Sequence, residues 1–322
     1  MIPFTTPVGS TVPGPRRTAF SLTALGLTIA LTATGCTVFG GGDDAADDET
    51  FRIGVTAQDE TNQLLADIAA EELGYDVEIV NFDDYNVPNT ALSNGDLDAN
   101  WFQHIAYLAN YNVNNDDDLT MIGGTEIVPL SLYSETYDSV EDFQDGDTVA
   151  IANDEINQAR GINVLVAAGL VVLENDVPEP RPADIDEDAS TVSVHPVDAA
   201  QTVNALQSVE GSVINNSFIN DAGIDPNTAL FADDPEDPEA FPYINGFVVR
   251  DEDRDNEALR EIAALYHDQR VLDSAAEISE DTSVPADPSI EELEAGLQEY
   301  EDFLRGDATD AEDAETDEDE DE

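Results

Sequence analysis

This 322-residue sequence is poor in nitrogen and sulfur nucleophiles and metal ligands, because it contains no lysine and a single cysteine, Cys36. The three histidines, His104, His195 and His267, are far apart, and none belongs to an H-E-x-x-H zinc motif. Without lysine neither a Walker A loop nor a Schiff base can form, and the G-x-S-x-G and G-x-G-x-x-G patterns do not occur. The residue types therefore argue against an enzyme and predict neither a cofactor nor a metal site.

Three polar side chains could form hydrogen bonds to a ligand. Arg160 lies in a helical segment, and its planar guanidinium offers two parallel donors that match a carboxylate. Asn215 ends one apolar strand segment and Asn245 interrupts another, and an amide can both donate and accept. From spacing alone, Arg160 can equally be a surface arginine, and the two asparagines can be caps of the local backbone.

The charge balance restricts the partners. Ten arginines stand against 73 acidic residues, which gives a formal net charge of −63. Such a surface repels nucleic acid and anionic lipid headgroups. The acids are spread along the whole chain, which favours a solvated surface suited to a salty medium, and hence a halophilic source, over a local cation site. The alternative is an acidic surface-interaction or cation-buffering protein. A hydrolase that uses two carboxylates would need acids that converge in one cleft, and no such pair can be recognised.

The first 35 residues have the features of a signal peptide. A positive Arg16-Arg17 pair precedes an apolar run over 19–33, which is short for a membrane span. The run ends at Ala33-Thr34-Gly35-Cys36, which resembles a lipobox although leucine is more usual than Ala33. We therefore expect Cys36 to carry a lipid anchor with palmitate-type acyl chains, and residues 36–50 to form an acidic tether at the extracytoplasmic face of the cell membrane. Export by the general or by the twin-arginine route stays open.

Strand patterns alternate with helix patterns along the rest of the chain, which indicates an α/β fold. The first strand, helix and second strand predict a β-α-β unit with parallel strands. The predicted strands are 51–56, 77–80, 126–133, 148–152, 211–215 and 244–249. The predicted helices are 59–73, 87–97, 100–108, 157–168, 198–208, 256–272 and an acidic amphipathic helix at 289–305. Residues 306–322 have almost no apolar content, which predicts disorder.

One segment carries a specific resemblance to a known family. Residues 84–108 match the string DY-x-x-PNTAL-x-x-GDLDAN-x-FQH-x-x-YL, and four further blocks follow in order. Together they resemble the NlpA-type methionine-binding lipoproteins of ABC importers, the MetQ family, over about residues 51–275. Departures are Trp101, where a smaller residue is common, Ser217, where asparagine is common, and the acidic C-terminal extension. The further blocks are IVPLSLYS (127–134), TVAIANDEINQARG (148–161), SVINNSFINDAGIDP (212–226) and PYINGFVVR (242–250).

The resemblance implies a type II periplasmic-binding-protein-like fold, in which crossing strands join two α/β lobes and the ligand lies in the cleft between them. It implies lobe 1 at 51–128 plus 246–288, lobe 2 at 129–245, and an acidic extension at 289–322. The implied ligand-binding residues are the aromatic wall and the polar groups, namely Tyr85, Phe102, His104, Tyr107, Arg160, Asn215 and Asn245.

The implied mechanism is closure of the lobes around methionine without covalent chemistry, followed by delivery to an ABC permease that its ATPase drives. Trp101 and Ser217 leave open another amino acid or a short methionine-containing peptide as the ligand.

The lipid anchor can be tested by one substitution. We expect Cys36→Ser to release the protein from membranes, because serine lacks the thiol that is acylated. The measurement is fractionation of cells that express either form, with immunodetection in the membrane and soluble fractions. A Cys36→Ser protein that stays with the membranes would show that the anchor is wrongly assigned.

Overall fold

The computed structural model describes the chain from Thr50 to Asp319. The predicted signal peptide and Cys36 lie outside the described residues, as does all of the predicted tether except Thr50. Between Thr50 and Asp319, none of the helices combines the length and the apolar character that a membrane span requires.

In the described part the strands are β1 (Thr50–Thr56), β2 (Asp76–Phe82), β3 (Ala99–His104), β4 (Thr120–Ile127), β5 (Ser131–Tyr133), β6 (Asp147–Ala152), β7 (Val192–Val197), β8 (Gly211–Ile214), β9 (Phe231–Ala232), β10 (Ile244–Val249) and β11 (Val284–Pro285). The α-helices are α1 (Glu60–Ile68), α2 (Pro88–Ser93), α3 (Ile105–Asn115), α4 (Glu155–Ala167), α5 (Thr202–Ala205), α6 (Ile219–Ala222), α7 (Glu257–Ala264), α8 (Gln269–Ile278) and α9 (Ile290–Asp319). A π-helical turn, Ala69–Leu73, continues α1, and a 3-10 helix, Pro238–Tyr243, precedes β10.

The strands form two sheets. Sheet 1 has the order β11-β4-β10-β3-β1-β2, and sheet 2 has the order β7-β6-β8-β5-β9. β1 pairs in parallel with β2, which confirms the predicted β-α-β unit, whereas β10 runs antiparallel to both β3 and β4. The chain passes from sheet 1 to sheet 2 through residues 128–130 and returns through 233–243. The fold is therefore α/β with two lobes, each built on its own sheet.

Helices cover both faces of sheet 1. On one face, Leu65 of α1, Ile262 of α7 and Val271 of α8 are buried in a single apolar cluster with the sheet. On the other face, Leu108 of α3 and Leu293 of α9 are buried in a second cluster. Both faces of sheet 1 must be apolar for this packing, and such two-sided burial is typical of the central strands of α/β proteins.

The start of α3 differs from the prediction. The sequence predicts a helix from Asn100, but the structure has strand β3 up to His104 and begins the helix at Ile105. β3 pairs with β1 on one side and with β10, from a distant part of the sequence, on the other. The prediction is wrong because a partner that local periodicity cannot reveal decides the conformation.

Three other elements are interrupted or shortened. The strand predicted at 126–133 ends at Ile127 and resumes as β5 at Ser131, because Pro129 has no N–H for a sheet hydrogen bond. The helix predicted at 256–272 is split into α7 and α8, since Asp268 caps the start of α8 through the Arg270 N–H. The helix predicted at 198–208 is reduced to a 3-10 turn and α5.

The C-terminal helix α9 packs against α3 and the segment that leads into β10. Leu293 and Leu297 are buried, the ring of Phe241 contacts the backbone at Gly296, and the Asn112 Nδ2 donates to Glu301 Oε1 over 2.9 Å. The acidic extension therefore begins as an integral part of the first lobe.

The structure continues α9 to Asp319, where the sequence predicts disorder from residue 306 onward. The prediction rested on low apolar content, which reports the lack of a buried face.

A pair of glycine substitutions in α9 tests the contact with Phe241. Gly296→Ala should lower the free energy of unfolding by about 1–3 kcal/mol, because the new methyl group overlaps the Phe241 ring in a packed region. The matched control is Gly306→Ala, where a methyl group would meet nothing within 4 Å. That change should raise stability by up to about 1 kcal/mol through helix propensity. Chemical denaturation of both variants is the measurement, and effects of the same sign would contradict the packing described.

Candidate ligand-binding cavity

All seven residues that the sequence predicts as ligand-binding line one cavity between the two sheets. Tyr85, Phe102, His104 and Tyr107 come from the lobe of sheet 1, and Arg160 and Asn215 from the lobe of sheet 2. Asn245 lies at the start of β10, where the chain re-enters sheet 1. The structure therefore brings the predicted residues together from both lobes and from the return crossing.

Arg160 projects from α4 and is buried, with its side chain 6% exposed. Its Nε donates to Asp233 Oδ2 over 2.7 Å and its Nη2 to the Val128 carbonyl oxygen over 2.9 Å. The guanidinium carbon lies 4.0 Å from the centre of the Tyr243 ring, within cation–π range. The interpretation of Arg160 as a surface arginine is therefore wrong. These contacts use two of its N–H groups, and the remaining N–H groups on Nη1 and Nη2 can donate to a carboxylate.

The side-chain oxygen of Asn215 is a buried acceptor without a donor. Its Nδ2 donates to Asn157 Oδ1 over 2.8 Å, and the Asn157 Nδ2 in turn donates to Asp154 Oδ1 over 2.8 Å. The Oδ1 of Asn215 is buried and accepts no hydrogen bond within the described part of the chain. A buried acceptor without a donor is unfavourable, so this oxygen is suited to a donor on a ligand.

Tyr85 is the centre of an aromatic wall. Its ring centre lies 5.8 Å from that of Phe102, 6.0 Å from that of Tyr107 and 5.0 Å from that of Phe218. The Tyr85 hydroxyl donates to Ser217 Oγ over 2.9 Å, so the wall joins the two lobes. Ser217, a departure from the family pattern, is thus a direct partner of a predicted site residue.

His104 presents one defined tautomer. Its Nδ1 accepts from the Tyr107 backbone N–H over 3.2 Å as the N-cap of α3, so the proton must reside on Nε2. Burial, with a smaller effect from the positive charge of Arg160, lowers the pKa of His104 to about 3. The imidazole is therefore neutral near pH 7, and its plane is nearly perpendicular to the Tyr243 ring at a centre-to-centre distance of 5.4 Å.

Sequence reasoning missed three residues that contact the predicted site residues. Tyr243 lies in the recognised block 242–250, so its position in that block was a usable signal. Phe218 lies in the block 212–226 and offered the same signal. Asp233, the ion-pair partner of Arg160, is one acid among 73 and carried no signal.

Among residues 50–319, no group of three or more histidine, cysteine or acidic side chains is arranged to hold a metal ion. The cavity instead combines a buried cation, hydrogen-bonding groups, the carboxyl groups of Asp59 and Glu126, and aromatic rings, which is the chemistry of a small-molecule binding site. Two α/β lobes joined by two crossing segments around such a cavity define a protein with the type II periplasmic-binding-protein-like fold.

The comparison with family models gives the family. The model described as NlpA lipoprotein matches residues 51–287, and the chain belongs to this family.

The probable D-methionine-binding lipoprotein MetQ of Vibrio cholerae is 34% identical to the chain over 263 residues, which cover 80% of this chain and 96% of that protein. The D-methionine-binding lipoprotein MetQ of Escherichia coli K12 is 31% identical over 245 residues, which cover 74% and 89%. The structure of a nutrient-binding protein from Burkholderia cenocepacia bound to methionine is similar with a TM-score of 0.69 at 28% identity, and the match covers 73% of this chain and 99% of that one.

The buried neutral histidine predicts a pH dependence of stability. The unfolded chain binds a proton near the ordinary histidine pKa of 6.5, whereas folded His104 does so only near 3, so folding must lose stability as the pH falls from about 6.5 toward 3. Urea unfolding at pH 7.5 and pH 4.5 should show a smaller loss for His104→Asn than for the parent. Asparagine keeps an N-cap acceptor but does not titrate.

The difference between the two proteins should approach but not exceed about 1.4 kcal/mol per pH unit below 6.5. Carboxyl groups whose pKa is raised by burial, such as Asp154, are present in both proteins and cancel in the comparison. Equal pH slopes would mean that His104 is not held neutral in the folded protein.

Proposed function

We propose that this protein is the solute-binding lipoprotein of an ABC importer and that it captures an amino acid, methionine, between its lobes. The observation that carries the proposal is the buried guanidinium of Arg160, which keeps donors toward the same cavity that the unpaired Asn215 Oδ1 lines. A site with both a cation and a free acceptor is complementary to a zwitterion.

Each end of an amino acid has a partner in this arrangement. The ligand carboxylate accepts from the Nη1 and Nη2 groups of Arg160, and Asn215 Oδ1 accepts from the ligand ammonium. Asn245 contributes a further amide beside them, where its Nδ2 lies 3.4 Å from the Glu126 carbonyl oxygen. Closing the lobes removes water from these contacts and so strengthens them.

The aromatic wall supports methionine as the ligand. Sulfur of a thioether interacts favourably with aromatic rings at about 5 Å, and Tyr85, Phe102 and Tyr107 present such rings to the cavity. Two relatives are named as D-methionine-binding lipoproteins, and a similar structure is described as bound to methionine. The runner-up within the same fold is another amino acid or a short methionine-containing peptide.

The proposed lobes are residues 51–128 plus 246–288 and residues 129–245. The Tyr85–Ser217 hydrogen bond joins them and stabilises the conformation described. In the proposed cycle the closed, loaded form docks on an ABC permease, and the ATPase of that transporter supplies the energy, so that no covalent chemistry takes place on this chain. A lipid on Cys36 holds the protein at the extracytoplasmic face, in keeping with relatives that are named lipoproteins.

Arg160 is the residue to test. Arg160→Ala should raise the dissociation constant for methionine a hundred- to several-thousand-fold, since a buried ligand carboxylate without its partner costs roughly 3–5 kcal/mol. Arg160→Lys should recover only part of the affinity because a lysine lacks the planar pair of donors. Phe102→Ala should weaken methionine more than alanine, since only methionine has a side chain long enough to reach that ring.

Calorimetric titration of ligand-stripped protein with methionine and with alanine is the measurement, and circular dichroism shows whether each variant is folded. Arg181→Ala is the matched control, because Arg181 is an exposed arginine of the same lobe that pairs with Glu155. An Arg160→Ala protein that binds methionine within a factor of about three of the parent would remove Arg160 from the site.

A further inference from the structure

The C-terminal helix α9 lies beyond the part of the chain that matches the family. That match ends at residue 287, before α9 begins. The first turns of α9 are nevertheless fixed to the lobe of sheet 1, because Leu293 and Leu297 are buried in its core. Farther along the helix, Glu301 accepts from Asn112 of α3 over 2.9 Å. This stretch of α9 therefore moves with the lobe of sheet 1.

Tyr300 extends from α9 to the other lobe. Its hydroxyl donates to Glu179 Oε1, and Glu179 lies between α4 and β7 in the lobe of sheet 2. Both side chains are partly buried, and neither lines the cavity. Burial, together with the nearby Glu179 carboxylate, raises the pKa of Tyr300 above its ordinary range, so the hydroxyl keeps its proton and remains a donor. The two lobes are thus joined outside the cavity by a hydrogen bond to a carboxylate.

Glu179 is held in place by its own segment. Pro178 and Pro180 flank it, and a proline fixes its own backbone and restricts the backbone of the residue before it. The Pro178 carbonyl oxygen accepts from Asn163 Nδ2 over 3.0 Å, and Asn163 belongs to α4. The carboxylate that Tyr300 contacts is therefore attached to α4 through a segment with little conformational freedom.

The helix α4 also carries Arg160. Domains of this kind change their relative orientation by bending at the segments that join them. Any such movement of α4 relative to α9 changes the distance between Tyr300 and Glu179, because each is fixed to a different lobe. The hydrogen bond between them consequently favours the orientation of the lobes in which Arg160 lines the cavity.

We propose that Tyr300 is a positioning residue for ligand binding. By holding Glu179 it keeps α4, and with it Arg160, in the orientation that completes the cavity, and it raises the affinity without touching the ligand. When fewer molecules adopt the complete site, the apparent affinity falls in proportion. This inference rests on the proposed function, because what Tyr300 is proposed to set is the affinity for methionine.

The first test removes only the hydroxyl. Tyr300→Phe keeps the ring, whose centre lies 5.7 Å from that of Phe303. It should weaken L-methionine about tenfold, the effect of losing a hydrogen bond to a charged group that forms only in the complete conformation. The loss should appear in the dissociation rate constant, since this contact must break as the lobes separate, whereas the association rate constant should stay within about twofold. Stopped-flow fluorescence of Trp101, the single tryptophan, which lines the cavity, gives both rate constants.

The matched control is Tyr75→Phe. The Tyr75 hydroxyl also donates to a glutamate, Glu261 Oε2, over 2.8 Å, but both of these residues belong to the lobe of sheet 1. The chemical change is the same, and no contact between the lobes is lost. The affinity and both rate constants should therefore stay at the parent values, whatever the change in the free energy of unfolding.

Variants of Glu179 approach the same contact from the other lobe. Glu179→Gln keeps an acceptor oxygen without the charge, so it should weaken L-methionine less than Glu179→Ala does. In the Tyr300→Phe background Glu179→Gln should cause no further loss, because its partner is already absent. Urea unfolding of each ligand-free variant shows whether it is folded.

The outcomes separate this inference from the proposed function. If methionine binds in an Arg160-dependent way but Tyr300→Phe binds it as tightly as the parent, the contact does not position the lobes and the proposed function stands. If Tyr75→Phe weakens methionine as much as Tyr300→Phe does, the effect comes from a general loss of stability and the inference is refuted. If the folded parent binds no methionine, the proposed function fails and this inference fails with it.

Discussion

The burial of one positive charge organises the centre of this molecule. A guanidinium removed from water must be compensated by nearby partners. Arg160 obtains them from the Val128 carbonyl on the outgoing crossing, and from Asp233 and the Tyr243 ring on the returning one. The side chain therefore connects α4 to both segments that join the lobes. Arg160 also lines the cavity, so the contacts that connect the two lobes and the proposed binding site share this side chain.

The overall charge of the chain makes this local arrangement necessary. A protein with a formal net charge of −63 repels anions at long range, and it can hold a carboxylate only through a short contact with a buried cation. A zwitterion has no net charge and is little affected by the long-range field, which salt further screens. In the proposed site, short-range contacts at Arg160 and Asn215 then decide which ligand stays. An acidic exterior is thus compatible with the proposed carboxylate-binding interior.

Sequence reasoning predicted the α/β class and the set of side chains that meet in the cavity, because motif blocks keep their order and spacing in a family. Sequence reasoning failed where contacts between distant parts of the chain decide the local conformation or the partner of a residue. β3 was predicted as a helix because its partner β10 is remote in the sequence. Asp233 could not be distinguished from other acids, since only the folded chain brings it to Arg160. The structure also continues α9 past residue 306, where low apolar content predicts disorder.

The position of β10 also dictates an order of assembly. Sheet 2 is built from one continuous stretch, 131–232, whereas the centre of sheet 1 is empty until β10 inserts between β3 and β4. The core beneath that insertion further requires Leu293 and Leu297 from α9. During synthesis the chain emerges N-terminus first, so the second lobe can form by itself. The first lobe cannot be completed until its last 80 or so residues are made, and the edges of β3 and β4 stay unpaired until then. The binding cavity is therefore among the last features of the molecule to exist, and a chain truncated late in synthesis would carry one finished lobe and no site.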